Sequence, residues 1–304
     1  MRHRLNLIQL FTLTFFFCLL TLVSCKKETS GSATDNQQEE NASMTSGQSD
    51  GEAEGFFGSV FDDAMGANND VGISGSGVFF GRTDSLVVVP RCFIVTITRP
   101  TINPFPVRIV VDFGTTGCPG PDGHVRKGKV ITEYTNRMIY PGSVATTIFD
   151  GYFIDNIKIE VTHKISNIGT GTPIVSRIYK AEVINGKLTK PNGDYTEWNS
   201  TKTITQIEGL ITLDNPRDDV FKIEGSARGR VKKGTLLVGW ESSIIEPLIK
   251  RFTCQYIVKG KIRIVRINTP ATSPWVAVLD FGAGNCDNQA VITINGIPHQ
   301  ITLP

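Results

Sequence analysis

The sequence predicts an all-β fold of mainly antiparallel sheets, arranged as a sandwich or one long curved sheet, with one short N-terminal helix and two internal disulfides. Three observations predict it. Beyond residue 85 the chain reads as runs rich in β-branched and aromatic residues, bounded by Gly, Asn, Asp or Pro, with no helical period between them. Within the runs apolar and polar residues alternate, as one buried and one wetted sheet face require. Four cysteines fall in this region as two similarly placed pairs.

Taken in order, residues 1–24 read as a secretory signal peptide. Arg2, His3 and Arg4 precede an apolar stretch over residues 7–23 that contains no acidic side chain. The stretch ends at Leu22-Val23-Ser24-Cys25, which resembles a bacterial lipobox, so Cys25 is the expected lipidation site. A plain signal peptide, or a short membrane anchor with an incidental cysteine, is the alternative. Acyl chains on Cys25 would bury about 0.8 kcal/mol per methylene in a bilayer. Residues 25–54 then carry the lipidated cysteine and a Ser-, Gly-, Glu-, Gln- and Asn-rich segment with no aromatic or branched aliphatic residue. That composition predicts a disordered tether with a reach of about 30 Å.

Residues 55–85 predict a short helix and a flexible link. Phe57, Phe61 and Met65, with Phe56, Val60 and Ala64, repeat at helical spacing, and Asp62 and Asp63 are placed on the opposite side. The all-β body spans 86–304. "IKIEVTHKIS" alternates so that Ile157, Ile159, Val161 and His163 share a face, where His163 reads as a core or edge histidine. Asn185-Gly186 and Asn295-Gly296 are each read as the two-residue turn of a hairpin.

A repeated element at 90–135 and 252–303 organises the body. "VVDFGTTGC" and "VLDFGAGNC" share Asp-Phe-Gly and place a cysteine six residues after the aspartate; a strand-like segment with the other cysteine precedes each. In an exported chain an even cysteine count reads as disulfides, and four allow three connectivities. The repeat favours Cys92 with Cys118 and Cys254 with Cys286 over pairing between the copies. Asp112 and Asp280 are expected to cap local amides at a turn, with Phe113 and Phe281 in the core.

The motifs that could carry chemistry are thin. "GHVRKGKV" over residues 123–130 matches a phosphate-binding loop until its last position, where Val130 replaces the required Ser or Thr, and a β-branched run follows instead of a helix. Its lysines and arginine read as solvated strand residues. The mature histidines are scattered, so no metal site is expected, and no cofactor or catalytic residue is assigned. The net charge of +2 gives no reason to expect a nucleic-acid partner. Trp198, Trp240 and Trp275 are the candidates for stacking a sugar ring, core packing being the alternative.

The two Asp-Phe-Gly blocks, with "CPGPDGHVRKGKV" after the first and "CDNQAVITINGIPHQITL" after the second, resemble a recurring type of Bacteroidota outer-membrane lipoprotein over most of residues 86–303. The resemblance implies an envelope lineage and a β architecture, and carries over no catalytic residue. The expectation is a lipid-anchored cell-envelope protein, not an enzyme, with a binding or surface-structural role. It would sit in the outer membrane, periplasmic or surface-facing, with the membrane as partner through Cys25 and a glycan or envelope protein as a further one. A glycan-binding or adhesive module and a lipid or lipoprotein carrier are the alternatives; the latter predicts a concave apolar sheet covered by the 56–65 helix. Oligomeric state is not legible.

Overall fold

A computed structural model describes residues 33–72, 92–103, 105–120, 123–212, 216–267 and 275–303. The expected signal peptide, Cys25 and residues 73–85 of the expected link lie outside them. The chain divides into two units, Met1–Gln38 and Glu39–Pro304. The second contains every strand.

Among the described residues one helix, α1 (Ala33–Gly72), precedes fourteen strands. They are β1 (Ile94–Thr98), β2 (Val107–Asp112), β3 (Cys118–Pro119), β4 (Val125–Tyr134), β5 (Val144–Ile154), β6 (Ile157–Asn167) and β7 (Ile178–Thr189). The remainder are β8 (Tyr195–Glu208), β9 (Val220–Lys233), β10 (Leu236–Arg251), β11 (Ile257–Arg266), β12 (Val276–Ala283), β13 (Gln289–Ile294) and β14 (Ile297–Thr302). Apart from the short β3, which pairs with β4, each strand lies beside its neighbours in sequence, and all pairings are antiparallel. Of the two expected architectures, one continuous sheet is the one found.

The sheet wraps α1. Strands as far apart as β4 and β14 reach the helix: the Tyr134 hydroxyl donates to the Ala64 carbonyl at 2.7 Å, and His299 lies 3.5 Å from Glu40. Register shifts in β4–β5, β5–β6, β6–β7, β7–β8, β9–β10 and β10–β11 supply the bends, because an extra residue on one strand kinks it and increases its twist.

Two expectations about the N-terminal region need correction. Residues 33–54 are not a disordered tether, and the short helix is only the last part of a 40-residue one. Composition misled because it scores large apolar side chains, whereas this helix is buried through small ones. Ala42, Ser43, Ser46, Asp50 and Ala53 are each at most 2% exposed. A Cβ on Gly47 would meet Ile292 at 3.0 Å, and one on Gly51 would meet Leu303 at 2.9 Å, so glycine lets the sheet close in. Only a narrow stripe, Asn41, Gln48 and Gly55 at heptad spacing, is exposed between residues 41 and 65. The C-terminal part packs as its spacing requires, with Phe57 at 1% and Phe61 at 4% exposure. Asp62, expected on the wet side, is buried too.

The repeated elements bear out the expected pairing. Cys92 joins Cys118 and Cys254 joins Cys286, with Cα atoms 5.5 and 5.8 Å apart. In both copies the aspartate caps the turn: Gly114 N–H donates to Asp112 Oδ1 and Gly282 N–H to Asp280 Oδ1, each at 2.9 Å. The Gly114 amide holds the Asp112 carboxyl below the usual range. Phe113 and Phe281 enter the core.

The hairpin turns divide. Asn295-Gly296 does join β13 to β14, both residues having positive φ. Asn185-Gly186 lies instead inside β7, at the β7–β8 register shift, and the chain reverses after Thr189. A Cβ on Gly186 would meet Phe57 at 2.8 Å, so this bulge makes room for a helix side chain that local sequence does not reveal.

Candidate functional site

The interior between α1 and the sheet holds the densest polar chemistry. Asp50 and Glu54, four residues apart, share one face of the helix, and Asp62 follows two turns later. Asp50, fully buried, accepts at Oδ1 from Trp198 Nε1 at 2.9 Å, Trp240 Nε1 at 2.8 Å and the Ser242 hydroxyl at 2.9 Å. Glu54 lies 2.8 Å from Lys202 Nζ, and Asp62 lies 3.6 Å from Lys250 Nζ, all four side chains being about 95% buried. Period-two alternation puts Trp198 and Lys202 of β8, and Trp240, Ser242 and Lys250 of β10, on the inner face.

Trp198 and Trp240 are therefore not ligand-stacking residues. They are 2% and 0% exposed, and Phe57 stacks on Trp198 with ring centroids 5.5 Å apart. Their indole N–H groups need acceptors once buried, and a helix carboxylate provides one for both. Trp275, half-buried, packs against the same core.

A cavity of about 40 Å³ separates the helix from the sheet beside these ion pairs, bordered by Gly58, His163, Trp198 and Lys202. His163 is 2% exposed, as its strand position implied, and burial lowers its pKa to about 4, so the imidazole is neutral near pH 7. Nearer the far ends of β8 and β9, Asp219 accepts from Gln206 Nε2, and burial raises its pKa to about 7 despite the pull of Arg177. Arg177 is tied to the carbonyls of Gly209 and Leu210 at 3.0 and 2.7 Å. Asp219 has the acidity of a general acid–base group. At 4% exposure it borders neither this cavity nor the two described next.

A second cavity, about 90 Å³, opens where the two repeated elements approach each other across the exposed stripe of α1. Gly51, Gly55 and Ser59 of the helix form one side; His124, Arg126 and Ile154 come from the first half of the sheet, and Tyr256, Phe281 and Asp287 from the second. Residues 125–130 of "GHVRKGKV" thus lie on strand β4, as the β-branched continuation implied, but Arg126, expected to be solvated, is buried because its side chain turns to the inner face toward α1. Gly128, with φ of 81°, sits at the β4–β5 register shift, where any Cβ would collide with the Gly151 carbonyl. His124 Nδ1 lies 2.6 Å from Asp155 Oδ2, and Val125 N–H donates to Asp155 Oδ1 at 2.8 Å. Burial raises the Asp155 pKa, but the Val125 amide, His124 and Arg126 outweigh it and hold the carboxyl below its usual value.

The outer face carries a polar trough of about 640 Å³ across β7 to β11. Glu182, Thr201, Ser226, Ser243 and Arg263 are register partners strand by strand along it. β9 and β11 contribute Arg228 and Arg263 here, both exposed, Arg228 lying 3.8 Å from Glu241.

Sequence reasoning did not find Asp50, Glu54, Lys202, Lys250, Arg177 or Asp219. The only local signal was the pair of strand tryptophans, whose buried N–H groups imply partners without naming them. No protein-family model, no curated protein and no solved structure matches this chain.

Proposed function

We propose that this chain is a cell-envelope lipoprotein, acylated at Cys25 and held at the outer membrane, that acts through binding or surface structure and not through catalysis. The observation that carries the non-catalytic reading is the filling of the sheet's concave side by the chain's own helix, whose buried carboxylates are paired with sheet lysines and indoles. The interior chemistry is spent on holding the fold, which leaves the outer trough and the seam between the repeats to meet partners. The anchor rests on the charged start, the apolar run and the Leu-Val-Ser-Cys junction.

A carrier is the second reading, favoured by the concave apolar sheet that α1 covers. It requires the helix to leave, exposing Phe57, Phe61 and Met65 and splitting the buried Glu54–Lys202 and Asp62–Lys250 pairs. The burial of Trp198 and Trp240 leaves only the half-buried Trp275 of the three residues on which a glycan-binding module was expected to rely.

Metabolic labelling with a fatty-acid tracer tests the anchor. Wild-type protein is expected to take up label and to fractionate with membranes, and Cys25→Ser to do neither; an unlabelled wild type would overturn it. A glycan and lipid binding screen on the full chain separates the binding reading from the carrier one, since only a carrier extracts lipid from vesicles.

A further inference from the structure

Gly55 and Gly58 stand in mid-helix, where glycine costs about 1 kcal/mol relative to alanine. Close packing explains Gly47 and Gly51, but a Cβ on Gly55 would find nothing within 4 Å. Gly55 lies on the exposed stripe and borders the 90 Å³ cavity at the seam, so a methyl group there would reach its open side. The cavity's lining combines aromatic surface, from Phe56 and Phe281, with one guanidinium, Arg126, and one carboxylate, Asp287. Arg126, 8% exposed and sharing its charge with Asp155, comes from the first half of the sheet. Asp287, whose Oδ1 accepts from the Gln289 amide at 3.0 Å, comes from the second. At about 30 Å³ per water the space equals roughly three waters, or an organic molecule of about five or six non-hydrogen atoms.

A cavity of that size whose lining supplies both a guanidinium and a carboxylate complements a molecule bearing both charges. We propose that the seam cavity is a binding site for a small zwitterion with an α-amino-acid head, of glycine or alanine size. Its carboxylate faces Arg126, its ammonium group faces Asp287, and its carbon skeleton lies against Phe56 and Phe281. Arginine suits the first role because its fork of donors matches a carboxylate. Gly55 keeps the volume open. This site names a ligand for the binding reading but stands independently of acylation at Cys25.

Calorimetric titration of the full chain with alanine, glycine, acetate, methylammonium and inorganic phosphate tests it. Alanine or glycine is expected to bind saturably at one site, with acetate and methylammonium at least about tenfold weaker. Gly55→Ala, which adds a methyl group to the space, is expected to weaken alanine binding at least about tenfold while raising the thermal midpoint. Asp287→Asn, at a half-buried position, is expected to weaken alanine but not acetate. Absence of saturable alanine or glycine binding up to about 10 mM would mean that the space holds water alone and overturns the proposal. Acetate or phosphate binding as tightly as alanine, or unchanged alanine binding by Gly55→Ala, overturns it as well. Fatty-acid labelling is unaffected by any of these outcomes, so failure here leaves the anchor reading separately testable.

Discussion

Trp198 and Trp240, one on β8 and one on β10, donate their indole N–H groups to the same atom, Asp50 Oδ1, at 2.9 and 2.8 Å. Between them runs β9, where Gly229 is the register partner of both. Two strands and the helix are thereby fixed to one another by a single carboxylate oxygen.

Asp50→Asn keeps an acceptor at that position, whereas Asp50→Ala leaves two indole N–H groups and the Ser242 hydroxyl without theirs. Unsatisfied buried donors cost about 1–3 kcal/mol each. The alanine variant is expected to lose at least about 3 kcal/mol in urea unfolding, and the asparagine variant clearly less. Equal losses would show that the three donors find other partners.

Gly229→Ala is expected to destabilise by about 1–3 kcal/mol, because a Cβ there would run into the Trp240 ring and the core must shift to admit it. A red-shifted tryptophan emission should accompany the loss. In the wild-type protein acrylamide should quench the half-buried Trp275 far more readily than the two interior indoles, as single-tryptophan variants would report.

Two buried groups give opposing pH dependence. The His163 pKa is lowered to about 4 in the fold against about 6.5 unfolded, so its contribution is complete above pH 6.5 and is lost as pH falls toward 4. The Asp219 pKa is raised to about 7 against about 3.9, so its contribution is complete below pH 4 and is lost as pH rises toward 7. Asp219→Asn removes the second slope while keeping an acceptor for Gln206. That variant should lose stability more steeply than wild type as pH falls from 6.5 to 4.5, and His163→Phe should lose less. Thermal midpoints across that range check both.

The disulfides close segments with sequence separations of 26 and 32, for which removal is expected to cost about 3–4 kcal/mol each. Paired serine substitutions, Cys92→Ser with Cys118→Ser and Cys254→Ser with Cys286→Ser, should lower the urea midpoint by similar amounts. A much smaller loss in one pair would show that its end of the sheet is held by packing alone.

Several features were legible without coordinates because they are local or periodic. Alternation at Ile159, Val161 and His163 identified an inner face, two Asp-Phe-Gly copies identified equivalent turns, and cysteine spacing paired the sulfurs correctly. Asn295-Gly296 was readable as a turn since its backbone preference is intrinsic. Asn185-Gly186 shares that preference yet became a bulge, because Phe57, far away in sequence, occupies the space beside it.

The sequence by itself determined the strands, their inner faces and the two clamps, through side-chain period and turn chemistry. Only the tertiary structure decided that a segment poor in large apolar residues would be a helix enclosed by the sheet. Nothing in residues 33–54 alone can offset the entropy of ordering them. Enclosure does so, by letting Gly47 and Gly51 approach Ile292 and Leu279, more than 200 residues away, and by giving Asp50 and Glu54 the indoles and the lysine that make their burial tolerable.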